Sequence, residues 1–204
     1  MSNFLNLFGV PIYNENVDFR LDISTYNNLE YRRVEDNGYI TDNHKILDLD
    51  IFSDLKNTIQ NQIDIYARQV LHIKDDVKFE ITSSWINKHL PGDWTQGHDH
   101  VNSLISGIYY IDSPQNGGDL VFHKDRSYVN LFPRIMSFEF THWEPWNCEA
   151  WRIIPQTGDI VLFPSTLIHS VTKNKSNKQR FSLAFNVFPR GHLGSHLATG
   201  KIDL

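Results

Sequence analysis

Beyond Lys78 the chain is cut into short pieces, and this punctuation constrains the fold more than any other feature. Stretches rich in β-branched and aromatic residues lie at about 79–87, 103–111, 119–123, 135–141, 160–163 and 180–188. Between them stand turn signals at Pro91-Gly92-Asp93, Gly117-Gly118-Asp119 and Thr157-Gly158-Asp159. Pieces this short, bounded by Gly, Pro and Asp, read as strands. The absence of βαβ alternation excludes a parallel sheet and leaves an antiparallel sandwich or barrel with Greek-key or jelly-roll closure.

One long helix precedes the strands. Leu47, Ile51, Leu55, Ile59, Ile63, Tyr66 and Val70 recur at steps of three and four, so an amphipathic helix is expected over about 47–71, packed on the outside of the barrel. The first 45 residues are expected to lay a strand and loops against it. With no internal repeat and no Pro/Ser-rich linker, residues 1–204 read as one domain with its core at about 79–190. A hydrophobic content of 40% is enough to fill such a core.

Charge and composition narrow the partners. The net charge of −5 is scattered, with no Lys/Arg run to follow a phosphate backbone, so nucleic acid is not expected. No run of about 18 apolar residues could cross a membrane. The single Cys148 cannot form an internal disulfide, and Met1–Pro11 lacks the charged and apolar regions of an export signal; a cytoplasmic location is expected. Oligomeric state is not readable.

The chemistry concentrates in a few residues. In Gln96-Gly97-His98-Asp99-His100, two imidazoles stand at i and i+2, which on a strand places them on one face. His169 follows the apolar strand Ile160–Phe163, about 70 residues later, and barrel closure could bring it opposite the pair. Three neutral imidazoles suit a first-row metal and leave coordination positions open. In a chain with 10 His, an HxH pair can also be a surface coincidence.

The last strand adds weight. Its alternation sets Phe181, Leu183, Phe185 and Val187 on one side and Arg180, Ser182 and Asn186 on the other. A guanidinium turned into a barrel needs an anionic partner, either a ligand carboxylate or an internal one such as Asp159 or Glu139.

These residues resemble a known pattern. Fe(II)/2-oxoglutarate dioxygenases carry a proximal His-x-Asp/Glu, a distal His, and about ten residues later an Arg; here His98, His169 and Arg180 stand in that order, with Arg180 eleven positions after His169. Trp85-Ile86-Asn87, the HDH triplet, Ser106-Gly107-Ile108-Tyr109-Tyr110, Gly117-Gly118-Asp119-Leu120, FPSTLIH and RFSLAFN resemble a small branch of that superfamily, found in marine bacteria and their phages and related to prolyl 4-hydroxylases. The resemblance covers about residues 80–190. It implies a mainly β, double-stranded β-helix (jelly-roll/cupin-like) fold. It also implies Fe(II) and 2-oxoglutarate as cofactors, O₂ as oxidant, and hydroxylation of a peptidyl or small-molecule substrate with release of succinate and CO₂.

By the same resemblance His98 and His169 are metal ligands and catalytic residues, with His100 added to them by strand geometry; Arg180 and Ser182 hold the far carboxylate of 2-oxoglutarate, and Tyr110 either donates a hydrogen bond to 2-oxoglutarate or is a core aromatic beside Tyr109. Asn87 could reach the metal-proximal end or be an ordinary strand residue. The departure is His100, which stands where the superfamily has Asp or Glu. Either the site is a three-His set or a carboxylate, Asp99 or Asp119, completes it; on a regular strand Asp99 points away. Substrate choice is expected in Phe138–Ile153, with His142, Trp143, Trp146 and Trp151, which could equally form a lid's own small core. Rival readings are a three-His cupin-type enzyme without 2-oxoglutarate, a non-catalytic jelly-roll binding protein and a structural phage-associated protein.

Overall fold

The structure, a computed structural model, describes residues 7–124, 138–194 and 200–204. In chain order its elements are β1 (Tyr13–Asn16), α1 (Ile23–Asn27), β2 (Tyr31–Val34), β3 (Gly38–Thr41), α2 (Ser53–Ile65), β4 (Val77–His89), β5 (Thr95–His98), β6 (Ile105–Asp112), β7 (Leu120–His123), β8 (Ala150–Ile153), β9 (Asp159–Pro164), β10 (His169–Val171), β11 (Arg180–Leu193) and β12 (Ile202–Asp203). The larger sheet has the order β1-β9-β6-β11-β4-β3-β2, with β12 pairing β11, and the smaller has β5-β10-β7-β8. Every pairing between these strands is antiparallel. From β4 to β11 the chain passes back and forth between the two sheets, which is the winding of the double-stranded β-helix expected from the sequence.

The period-two pattern of β11 explains both layers. Phe181, Leu183, Phe185 and Val187 join Ile86, Tyr109, Ile160 and Leu162 in a core under α2 and its flanking turns. On the opposite face of the same sheet Ile108, Tyr110, Val161 and Phe163 meet Leu120, Phe122 and Leu167 between the sheets. Arg180 and Ser182 share that inner face, because paired residues on neighbouring antiparallel strands project to the same side: Ser182 pairs with both Tyr110 and Asn87.

The expected helix is present, but shorter and wound differently at both ends. Two 3₁₀ turns, Ile46–Asp48 and Asp50–Phe52, lead into α2, and a π turn, Tyr66–Val70, ends it. A 3₁₀ turn advances three residues where an α turn takes 3.6, so the buried face slips by one position. Phe52 is buried in place of Ile51, which is 58% exposed. At the other end the wider turn buries both Tyr66 and Ala67 and leaves Val70 at the surface, with the Tyr66 hydroxyl donating to the carbonyl of Pro11 at 2.8 Å.

The N-terminal part holds more than the one strand expected. Besides β1 on one edge, the β2–β3 hairpin extends the opposite edge through β4. Of the strand expected at 135–141, residues 135–137 lie outside the described residues and 138–141 carry no strand.

Close packing across the large sheet makes a sharp prediction at Gly107, opposite Phe185 and Leu162. A Cβ there would stand 2.1 Å from Phe185 Cζ and 2.7 Å from Leu162 Cδ2. Gly107→Ala is expected to destabilise the protein by about 1–3 kcal/mol, the usual cost of overpacking, read as a lower urea midpoint. An unchanged midpoint would mean that the Phe185 ring moves aside freely.

Candidate active site

The three expected histidines meet at one end of the space between the sheets. His98 and His169 are directly paired residues of β5 and β10, so strand register itself brings them face to face. Their ring centroids are 4.3 Å apart, and those of His98–His100 and His100–His169 are each 5.2 Å apart. One nitrogen from each ring lies within 4.8 Å of the others. Two nitrogens bound to a first-row ion at about 2.1 Å can be at most about 4.2 Å apart, so a small inward rotation of the half-buried His98 and His100 rings toward the buried His169 would suffice.

The geometry corrects one step of the sequence argument. β5 ends at His98, so His100 does not share its face by strand alternation. It reaches the cluster from the following segment, whose backbone is held by the His100 amide donating to the carbonyl of Ser165 at 3.0 Å. Neither Asp99 nor Asp119 belongs to the cluster among the described residues. Asp99 is exposed, and the Asp119 carboxylate accepts from Arg152 Nη1 at 3.2 Å.

The ring hydrogen bonds orient two of the histidines. His98 Nδ1 donates to the carbonyl of Gln96 at 2.9 Å and His169 Nδ1 to that of Leu167 at 3.0 Å, leaving each Nε2 lone pair free for a ligand bond. His169 is packed against Phe163 and Phe122, and Trp85 stacks on His100 with centroids 5.9 Å apart. Burial, reinforced by the neighbouring His98, lowers His169 to about 3 and His100 to about 4. Both are therefore neutral at physiological pH, the form that coordinates metal.

A pH prediction follows. A histidine whose folded pKa is depressed contributes full stability above its unfolded pKa, roughly 6.5, and loses it as the pH falls toward the folded value. His100, His169 and the buried His89, which burial and Arg180 lower to about 3, all act in this direction. The metal-free protein is expected to lose on the order of 1 kcal/mol per imidazole per pH unit below about 6.5, seen as a falling Tm between pH 7.5 and 5. A flat Tm would contradict this.

Along the same inner face lies the second group. Arg180 is fully buried beneath the Tyr110 ring, 5.2 Å from its centroid, with Nη2 at 3.5 Å from Ser182 Oγ. No ion pair joins it to a carboxylate among the described residues; Asp159 instead accepts from Asn16 and Gln156, and Glu139 is exposed. Arg180 Nε and the Tyr110 hydroxyl are both buried without a partner at good hydrogen-bond geometry, although the guanidinium and the phenol are close enough to interact with each other. Burial raises Tyr110 to about 12, so its phenol remains a donor. Buried donors converging without an acceptor fit an anionic ligand. Asn87, half-buried, lies in the same cross-strand row as Ser182.

Two residues with no role in the site expected from the sequence join it. His89 pairs with Arg180 across β4 and β11, and its Nδ1 is 3.2 Å from Arg180 Nη1. Trp85, two positions before Asn87 on β4, walls the His100 side. Of the expected substrate segment, Trp151 lies in the row His98–His169–Phe122–Trp151 across the small sheet, which places it on the inner face at the edge. Trp143 and Trp151 also flank a depression of about 430 Å³ with Cys148 and Arg152. A larger depression, about 640 Å³, lined by Trp94, Gln96, His123 and Ser170, is on the outer face of the small sheet, on the side opposite His98 and His169.

Comparison with known families agrees with this arrangement. A family described as "Putative 2OG-Fe(II) oxygenase" matches residues 83–186, just over half of the chain, from the middle of β4 to the middle of β11. The chain belongs to this 2OG-Fe(II) oxygenase family. Its cofactors are Fe(II) and 2-oxoglutarate, and it is an enzyme that uses O₂ on an organic substrate.

Solved structures share the fold. An oxidoreductase of the 2OG-Fe(II) oxygenase family from Burkholderia pseudomallei is 14% identical, with a TM-score of 0.55 over 80% of this chain and 74% of that one. HygX from Streptomyces hygroscopicus, with nickel, 2-oxoglutarate and hygromycin B bound, is 10% identical with a TM-score of 0.55, over 87% and 82%. A Pseudomonas putida prolyl-4-hydroxylase is 14% identical with a TM-score of 0.50, over 87% and 92%. No curated protein matches the sequence.

Proposed function

We propose that this 2OG-Fe(II) oxygenase hydroxylates a C–H bond of a small-molecule or peptidyl substrate, with His98, His100 and His169 holding Fe(II) and Arg180 holding 2-oxoglutarate. The observation that carries the reading is the pairing of two unsatisfied groups on one inner face: three neutral imidazoles converging at one end, and a buried guanidinium without an anion beside them. Bound there, Fe(II) and 2-oxoglutarate would supply activation of O₂, the oxidant: the oxo acid would give up two electrons and take one oxygen atom as it becomes succinate and CO₂, and the other oxygen atom would enter the substrate C–H bond.

The protein's part is to bind, orient and exclude water. The carbonyls of Gln96 and Leu167 fix the tautomers of His98 and His169. Arg180, with Ser182 and Tyr110, supplies donors for the far carboxylate, and Phe122, Phe163 and Ile108 keep the space between the sheets apolar. With an imidazole in place of the family's usual carboxylate, the centre carries one more unit of positive charge, which favours a dianionic co-substrate. Trp85 and Trp151 offer aromatic walls toward which an organic substrate can pack. The β2–β3 hairpin, outside the matched region, closes the Arg180 end, so we propose that residues 1–204 work as one unit.

The test is anaerobic titration of the metal-free protein with Fe(II) and then 2-oxoglutarate, following the weak visible charge-transfer band of chelated 2-oxoglutarate. Appearance of the band is the expected result. Iron binding without the band would favour a three-His cupin-type enzyme that does not use 2-oxoglutarate; no iron binding would remove the proposed ligand set.

A further inference from the structure

Arg180 has five N–H donors, and the described residues engage them unevenly. Its Nη1 donates to His89 Nδ1 at 3.2 Å, its Nη2 is at the limit of contact with Ser182 Oγ at 3.5 Å, and its Nε has no partner. In a guanidinium Nε and Nη2 point the same way along one edge, and Nη1 forms the far corner. The corner is therefore anchored and the edge is left open, which is the arrangement a carboxylate needs to accept two parallel bonds.

The anchor is itself built into the fold. His89 is 2% exposed at the end of β4, and its Nε2 faces the carbonyl of Asn37 at 2.9 Å and the hydroxyl of Thr95 at 3.2 Å. The Thr95 hydroxyl gives its one hydrogen to Asn37 Oδ1 at 2.7 Å, so it can only accept from His89. Two acceptors at Nε2 place the proton there, and the lone pair on Nδ1 must then face Arg180. The turn carrying Asn37 presses on the ring: at Gly38, with φ of +75°, a Cβ would stand 2.6 Å from His89 Cδ2. The same turn is tied to β5 through the Gln96 amide, which donates to the carbonyl of Asp36 at 3.2 Å. The Arg33–Asp93 ion pair at 2.8 Å ties the hairpin to the turn after β4.

We infer that His89 is a positioning residue for co-substrate binding: braced by the Asn37 turn and Thr95, it holds the corner of Arg180 so that the Nε/Nη2 edge faces the carboxylate of 2-oxoglutarate. The inference rests on the proposed role of Arg180. It assigns a function in the site to the N-terminal hairpin, which lies outside the family-matched residues. A positively charged side chain without such an anchor would sample several rotamers in the pocket, and each binding event would bear the cost of ordering it.

Two amide variants separate positioning from mere filling of space. In His89→Asn the side-chain oxygen can stand where Nδ1 stands and accept from Arg180; in His89→Gln the amide reaches further, toward Asn37, and leaves the corner unanchored. Binding of 2-oxoglutarate to the Mn(II)-loaded protein is measured by calorimetry, with Mn(II) affinity and Tm recorded alongside, and His89→Leu completes the set. The expected result is binding by His89→Asn within about 3-fold of the unaltered protein, and roughly 10- to 100-fold weaker binding by His89→Gln and His89→Leu, the usual effect of losing a hydrogen bond to a charged group. Mn(II) affinity is expected to be the same in all. Equal affinity for 2-oxoglutarate in all four proteins, or losses that follow Tm without separating Asn from Gln, would overturn the role of His89 alone. Failure of the unaltered protein to bind 2-oxoglutarate would instead overturn the reading of Arg180, and the role of His89 with it.

Discussion

Replacement of His169 by alanine is expected to abolish Fe(II) binding at micromolar metal and to reduce turnover below detection. Even outer partners of metal-bound imidazoles, which touch no metal, cost about 10- to 100-fold in affinity when removed; loss of a proposed ligand is expected to exceed the upper figure. His169 is the most constrained of the three: it is buried, oriented by the Leu167 carbonyl, and opposed by His98 in register. The ring is also part of the packing against Phe163, so the fold must be checked separately. Because the imidazole is neutral, His169→Ala removes no charge pair, and the metal-free variant is expected to unfold cooperatively with a Tm a few degrees lower. The decisive quantity is the rise in Tm on adding Fe(II) anaerobically, present in the unaltered protein and lost in the variant. A retained rise would exclude His169 as a ligand. His100→Ala is expected to lose the same rise; a loss confined to His98→Ala and His169→Ala would leave His100 as a wall of the site.

Legibility in the sequence followed the strength of local pattern. β11 was readable because eight successive residues alternate between large apolar and small or polar side chains, the apolar side entering the core under α2 and the other side, with Arg180 and Ser182, sharing the face of Tyr110 between the sheets. The middle of α2 was readable for the same reason, with Leu55, Ile59 and Ile63 all buried. The helix ends were not, since 3₁₀ and π winding carries no compositional mark and reveals itself only in which residue of a pair, Ile51 or Phe52, is buried. β5, β8 and β10 are three or four residues long, and their pairing is set by barrel closure. The three histidines could be listed from spacing and resemblance, yet the reason they meet, the His98–His169 register, is a tertiary fact. His89 had no signal at all: it ends a strand, matches no motif, and its brace comes from Asn37, some fifty residues earlier.

Arg180→Ala is expected to weaken 2-oxoglutarate by roughly 10²- to 10³-fold, which corresponds to the loss of two charge-assisted hydrogen bonds at about 1.5–3 kcal/mol each, not fully additive. Two features of the structure set the size of the effect. The guanidinium is wholly buried, where water cannot substitute as donor, and no carboxylate of the described residues forms an ion pair with it, Asp119 acting on it only from beyond contact, so its charge lacks a contact partner until an anion arrives. The same reasoning fixes the sign on stability: without 2-oxoglutarate, removing an unpaired buried cation relieves a desolvation cost, while the lost side-chain volume beneath Tyr110 leaves a cavity, so the metal-free variant is expected to have a Tm within a few degrees of the unaltered protein. Fe(II) affinity is expected to be unchanged, because Arg180 does not belong to the histidine cluster. Calorimetry gives both constants in sequence, Mn(II) being titrated into the metal-free protein and 2-oxoglutarate then into the Mn(II)-loaded protein. A parallel fall in metal and 2-oxoglutarate affinity would mean that Arg180 supports the cluster structurally; a fall in 2-oxoglutarate affinity alone, with the stabilisation by saturating 2-oxoglutarate lost in the variant, would place the co-substrate carboxylate on its open edge.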